Sequence, residues 1–295
     1  MNFLKINDGV LYMLIASFCF ALMGVFVKLL SNSLGILEIT FFRNIFGVVL
    51  IGATLFNLPL KNKGGKTGLL FFRGIIGFLA LLAWFYNIAH IPLADAMTFS
   101  RTAPIFTAVI AFFALNERLS KKGWIAIFIG FIGVIFIMKP NGLSLKITDM
   151  MGLFSGIGAA LAYTSVRELK KYYDTRTIVL FFMCAGTICP LLMILADNLL
   201  HVSFFSRLFG DVSVPKGINW FYIICMGVFA TIAQIFMTRA YGAAKAGVVS
   251  AISYADILFS VVFGVILWRS FPDLFGFFGI ILVILSGVLV AKEKV

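Results

Sequence analysis

Hydrophobic and polar positions fall in long blocks along this chain rather than in the short periods of a soluble domain. Brief stretches of Gly, Pro and charge separate ten apolar runs, at 9–30, 37–57, 68–90, 94–116, 122–139, 149–168, 176–196, 218–240, 246–268 and 273–291. A helix rising 1.5 Å per residue needs about 20 residues to cross ~30 Å of hydrocarbon, so each run predicts one spanning helix. The pattern predicts an all-α integral membrane protein. The fourth run differs from the others because Arg101 and Pro104 lie inside it. An interior proline removes a helical hydrogen bond and clashes with the preceding turn. An arginine at depth costs at least ~2.5 kcal/mol unless a partner or water receives it. A broken helix carrying a charge predicts the lining of a polar pathway.

Composition narrows the class. The 295 residues are 62% hydrophobic and 12% charged, against about 25% charged in globular chains. The net charge of +12 does not point to nucleic acid, because Lys and Arg collect in the short connectors. With the N-terminus on the cytoplasmic side, fifteen basic residues fall on that side, five on the other, and Lys28, Arg43, Arg73 and Arg101 within runs. That asymmetry predicts cytoplasmic N- and C-termini in a cell inner membrane. Four cysteines inside apolar runs and two histidines, His90 and His201, predict neither a disulfide framework nor a metal site, and no cofactor. Gly64-Gly-Lys-Thr67 resembles part of a phosphate-binding loop, but Leu60 stands where the first glycine is needed. The connector at 197–219, with Phe204, Phe205, Leu208 and Phe209 around Arg207, predicts a short surface helix or an apolar loop cover.

The chain is weakly self-similar. Ile88–Ala96 falls opposite Ala240–Val248, with a register of 152 residues early and 154 later, near Gly133 and Gly287. Five spans per half is odd, so residues 1–140 and 141–295 predict two inverted five-helix repeats around a central cavity. Three stretches are similar to the EamA family of the drug/metabolite transporter superfamily: Arg73–Phe78, Tyr86–Ala96 and Pro104–Leu119. The second half departs from that pattern, with Trp268-Arg269 where the family usually has an acid and Asp256 opposite Pro104. The resemblance implies a ten-helix carrier with cytoplasmic termini and a central cavity. Members move amino acids, nucleotide sugars, cofactors or other metabolites.

Within this frame Arg101 is the sharpest substrate-binding candidate, since a guanidinium grips carboxylate or phosphate in two-pronged fashion. Structural pairing with Asp95 or Asp256 is its alternative. Asp256, beside Ser253 and Tyr254, reads equally as a proton-coupling group, a ligand for a substrate ammonium, or the partner of Arg101. Trp84, Tyr86, Asn87 and Gln234 are further cavity candidates. Glu117, Arg73, Arg43 and Arg239 are candidates for gating or coupling, with structural anchoring the better reading for Arg43, through Glu38, and for Arg73, through cytoplasmic water. Gly24, Gly74, Gly77, Gly130, Gly133, Gly152, Gly156 and Gly287 predict close helix packing.

The function so indicated is a secondary transporter of a small polar organic metabolite, an amino acid, carboxylate or nucleotide-like compound, working by alternating access. Its partners would be that metabolite, membrane lipids and a coupling proton or counter-substrate, with no nucleic acid, in a monomer or homodimer. An intramembrane lipid-modifying enzyme would need His, Asp, Glu or Cys clustered at one depth. A channel would need rings of like residues. Within the carrier class, an S-adenosylmethionine or cationic-metabolite exchanger remains the alternative.

Overall fold

Helices begin and end where the sequence supplies a turn or a polar cap. The computed structural model describes residues 8–57, 60, 62–90, 99–138, 146–199, 204–210, 212–269 and 271–291. Among the described residues the first half holds α1 (Asp8–Leu30), α2 (Ile36–Asn57), α3 (Thr67–His90), α4 (Ala103–Leu115) and α5 (Lys121–Met138). The second half holds α6 (Ile147–Leu169), α7 (Thr175–Leu199), α8 (Phe204–Phe209), α9 (Asn219–Ala243), α10 (Ala246–Ile252), α11 (Ala255–Trp268) and α12 (Leu274–Ala291). Glu38 accepts the Gly35 N–H at 3.0 Å ahead of α2, and Asp149 accepts the Lys146 N–H at 3.2 Å ahead of α6. Both satisfy donors that a helix start leaves orphaned.

Among the described residues six segments are long and apolar enough to cross a membrane: Asp8–Leu30, Ile36–Leu55, Thr67–Asn87, Thr175–Asp197, Asn219–Ala243 and Ala246–Trp268. Ala103–Leu115 and Leu274–Val290 are shorter apolar helices. Large apolar side chains face outward, Phe113 76% and Ile266 68% exposed, while Arg43, Asn44, Arg73, Asn87 and Gln234 are buried. That is the reverse of a water-soluble domain and the arrangement a lipid solvent selects. The chain is a membrane protein.

Helix starts correspond between the halves. α2 and α7 begin 139 residues apart, and α1 and α6 end 139 apart; α3 and α9, like α4 and α11, begin 152 apart, and α5 and α12 begin 153 apart. The jump from 139 to 152 falls between α7 and α9, where α8 is inserted. Packing corresponds too: α1 lies on α9 as α6 lies on α3, and α1 lies on α11 as α6 lies on α4, while α2 with α7 and α5 with α12 pair directly. Gly133 packs against Gly279, and Gly287, like Gly24, has open space where a Cβ would go.

Pro190 sits inside α7 and deprives the Gly186 carbonyl of its helical donor. Asn44 Nδ2 from α2 supplies a substitute at 3.3 Å, and a Cβ on Gly186 would collide with that Asn44 side chain. The connector at 197–219, expected as a short surface helix or a loop cover, contains the short helix α8. Asp197 accepts the Phe205 and Ser206 N–H groups at 3.1 and 2.6 Å, and Phe209 is buried. Residues 91–98, with Asp95, lie outside the described residues.

A Cβ on Gly279 would stand 2.6 Å from the Gly133 carbonyl oxygen, and one on Gly133 2.8 Å from that of Gly279. Backbone cannot step aside cheaply, so Gly279→Ala should destabilise the protein by roughly 1–3 kcal/mol. Gly24→Ala should be neutral or stabilising by up to ~1 kcal/mol. Thermal unfolding of the purified variants in detergent checks both.

Candidate functional site

Two helices break at corresponding places. Phe99 and Ser100 are helical, Arg101 and Thr102 form a turn, and α4 follows. Between α10 and α11, Ser253 and Tyr254 form the equivalent turn, 152 residues on. The hydrogen bonds repeat with the same offset. The Ile105 N–H donates to the Thr102 carbonyl at 3.0 Å, and the Ile257 N–H to the Tyr254 carbonyl at 3.1 Å. Pro104 sits at the start of α4 because its missing N–H is no loss there. The fourth run is thus broken, as its charge and proline predict, and leads into a 13-residue helix, whereas the ninth run, expected as a single helix, is corrected to two helices separated by the turn at Ser253 and Tyr254.

The two breaks face each other through an ion pair. Arg101 Nη1 donates to Asp256 Oδ2 at 2.6 Å, the side chains 19% and 13% exposed. Of the three readings of Asp256, the structure shows the pairing with Arg101. The pair is incompletely satisfied, since Arg101 Nε and Asp256 Oδ1 are buried without a protein partner. The Tyr254 hydroxyl donates to the Arg101 carbonyl at 3.3 Å, while its ring packs with Val134, Ile257 and Val283. Ser253 Oγ donates within its own helix, to the Ser250 carbonyl at 2.6 Å. Ser250 Oγ in turn reaches the Pro104 carbonyl at 3.4 Å.

Beside this pair stand residues that sequence reasoning passed over. Tyr163 of α6 stacks on Tyr241 of α9, ring centroids 5.3 Å apart, and it lies within Coulombic reach of Arg73, Arg101, Asp256 and Arg43. Arg43 and Arg73 both approach the Phe182 ring, 5.9 and 4.5 Å from its centroid. The expected anchors are corrected. Glu38 is held by Gly35 and does not pair with Arg43, whose Nε points at Met23 Sδ at 3.2 Å. Arg73 is 1% exposed and does not reach water at the helix end. A cation over an aromatic ring is worth about 0.5–2 kcal/mol, less than the several kcal/mol that burying each charge costs. The ring alone does not offset the two guanidiniums.

A second network closes one end of the helix assembly. Glu117 accepts Arg167 Nε on Oε1 at 2.8 Å and the Ala246 N–H on Oε2 at 2.7 Å. Arg167 Nη1 donates to the Gly242 carbonyl at 3.0 Å. The ends of α4, α6 and α9 are thereby tied to the start of α10. At the corresponding positions, Lys28 stands where Arg167 does and Trp268-Arg269 where Glu117 does, and there Lys28 Nζ lies 4.2 Å over the Trp268 ring. Arg269 ends α11 in the left-handed region as Asn116 ends α4, each with φ 53°.

The remaining candidates are dispersed. Gln234, buried with Nε2 unpartnered, shares a face of α9 with Thr231, Thr238 and Tyr241. Asn87, buried and unpartnered, packs on α6 at Gly152. Trp84 lies beside Phe85, and Tyr86 stacks on His90. Arg239 is exposed and rests on Phe236, away from the pair. Among the described residues no group of three His, Cys, Asp or Glu could hold a metal.

The profile of the EamA-like transporter family matches residues 7–139 and again residues 146–292. The chain belongs to the EamA-like transporter family. It is 34% identical over 287 residues to an uncharacterized transporter of Helicobacter pylori, covering 96% of this chain and 94% of that one. It is 28% identical over 291 residues to the pseudopaline exporter CntI of Pseudomonas aeruginosa, covering 98% of each. A solved crystal structure superposes with a TM-score of 0.78 at 15% identity, over 95% of both chains, which shows the shared fold. The protein is a membrane transporter of the drug/metabolite superfamily and not an enzyme.

Removing one member of the pair strands the other. Asp256→Ala should cost roughly 2–4 kcal/mol, somewhat under a fully buried pair because both groups are partly exposed. The double change Arg101→Met with Asp256→Leu should cost less than the sum of the two single changes. A double-mutant cycle of unfolding free energies checks this.

Proposed function

We propose that this EamA-like protein is a secondary carrier of a small polar organic metabolite, with the Arg101–Asp256 pair at its central site. The observation that carries the reading is the ion pair joining two broken helices. Broken helices at mid-membrane supply unpaired backbone groups and charge where substrate can replace them, a recurring transporter arrangement. Substrate carboxylate or phosphate would take the Arg101 guanidinium from Asp256, and a substrate ammonium would take Asp256. The released partner then favours a second packing of α4 against α10 and α11.

Two inverted five-helix repeats, residues 1–140 and 141–295, fit this scheme. The two family matches, the offsets between helix starts and the corresponding packing partners support them. The excess of basic residues in one set of connectors supports cytoplasmic termini in an inner membrane. Export is the direction in the name of the Pseudomonas relative, and it is the direction proposed here.

Glu117 is a gate in this reading. Hydrogen bonds to charged groups contribute about 1.5–3 kcal/mol each, while the Lys28–Trp268 contact contributes about 0.5–1 kcal/mol at an exposed site. The Lys28 end therefore opens more readily than the Glu117 end.

A thermal-shift panel of carboxylates, phosphates, zwitterions and organic cations tests the central site. A ligand at ~100 times its dissociation constant stabilises by roughly 2.7 kcal/mol. Arg101→Ala should abolish stabilisation by anionic ligands in a protein that still inserts and folds. Stabilisation that survives in Arg101→Ala would remove Arg101 from the site. For the gate, Glu117→Gln should speed maleimide labelling of a cysteine placed at Ala246, in a background without native cysteines, by roughly five- to thirtyfold. Unchanged labelling would remove Glu117 from gating.

A further inference from the structure

Arg43 and Arg73 are placed like ligands for something other than the protein. They are 5% and 1% exposed, so neither side chain is solvated as a surface arginine would be. Arg43 Nη1 and Arg73 Nε are buried without a partner. Among the described residues, their guanidinium partners are one thioether, Met23 Sδ, for Arg43 and the shared ring of Phe182. The carboxylates on neighbouring helices are committed elsewhere: Glu38 to the Gly35 N–H, Asp256 to Arg101, and Glu117 to Arg167 and the Ala246 N–H. Among the described residues none lies within ion-pair distance of either arginine.

Their position links them to the central pair. They come from α2 and α3 and reach one ring on α7, and α3 packs on α6, the helix of Tyr163, as does α4, which follows Arg101. Arg43, Arg73 and Arg101 set three guanidiniums against the one carboxylate of Asp256, a formal charge of +2. A planar guanidinium fork matches a carboxylate with two parallel hydrogen bonds, and buried like charges are tolerated where an opposite charge completes them.

We infer that Arg43 and Arg73, bracketing Phe182, form a second anion subsite beside the Arg101–Asp256 pair, so that the transported metabolite is an organic acid with at least two acidic groups. One acid is gripped by Arg43 and Arg73. The other engages Arg101 as Asp256 is displaced. Scaffold arginines would show no selectivity for ligand charge, whereas a subsite sets the charge of the cargo. The inference rests on the carrier reading of the central site and adds to it the number of charges on the substrate.

Isothermal titration of the purified full chain in detergent tests it, with aliphatic di- and tricarboxylates of four to six carbons, each compared with its monoamide. The monoamide keeps size and shape and removes one charge. Wild type should bind the diacid or triacid at least about tenfold tighter than the monoamide, the size of one charge-assisted hydrogen bond. Arg43→Gln and Arg73→Gln should reduce that preference to about twofold or less, and Arg43→Lys and Arg73→Lys should retain more of it. Equal binding of acid and monoamide by wild type, or no binding of any member of the series, overturns the inference. So does a preference that persists undiminished in both glutamine variants. The wild-type comparison decides even where a variant does not fold. Arg101→Ala separates the two claims. Lost binding there, with no charge preference in wild type, overturns the second subsite and leaves the central site standing. Wild-type binding in Arg101→Ala contradicts the central site itself, and the second subsite with it.

Discussion

An apolar solvent on the outside forces every charge and every broken backbone hydrogen bond of this protein to find its partner within the bundle. The breaks before α4 and between α10 and α11 would be untenable facing lipid. They are held because they face one another: Arg101 reaches Asp256, Tyr254 ties its hydroxyl to the Arg101 carbonyl, and Ser250 reaches the Pro104 carbonyl. The same constraint explains Asn44, which serves the carbonyl left open by Pro190. Polarity is bought at the centre by confining it to places where two elements satisfy each other.

The arrangement leaves electrostatics unequal in two respects. Arg43, Arg73 and Arg101 outnumber the single carboxylate of Asp256, the imbalance on which the proposed second subsite rests. Along the bundle, the Glu117–Arg167 network holds one end through several charged hydrogen bonds, while Lys28 over Trp268 holds the other by a softer contact. In the carrier proposed above, two ends of unequal strength around an ion pair that substrate separates form a bistable element. A ligand shifts such an element only by its difference in affinity for the two states.

Much of this was legible in the sequence. Apolar run lengths located most of the helices to within a few residues, since the cost of exposing backbone to lipid leaves little choice of element. Arg101 and Asp256 stood out because charge inside an apolar run is costly, and the 152-residue offset set Ser253 opposite Arg101 without revealing the break there, because the ninth run carries no interior proline. The rest depended on three-dimensional proximity. Arg43 lies five residues from Glu38, yet Glu38 serves a helix start and Arg43 turns to Met23 and Phe182. Arg167 reads as one more connector charge until the fold brings it to Glu117. Tyr163 lies among small residues with nothing nearby in sequence to single it out, and Gly287 lines up with Gly133 along the chain while Gly279 meets it in space.

The central claim is that the Arg101–Asp256 pair serves substrate and not packing alone. Exchanging the charges, Arg101→Asp with Asp256→Arg, preserves an ion pair across the breaks and reverses the position of each group. Thermal stability and saturable ligand binding of the exchanged protein should be measured together, beside the two single variants. The account predicts that stability recovers well above either single variant while ligand binding stays lost. Recovery of binding along with stability would contradict it and make the pair a scaffold.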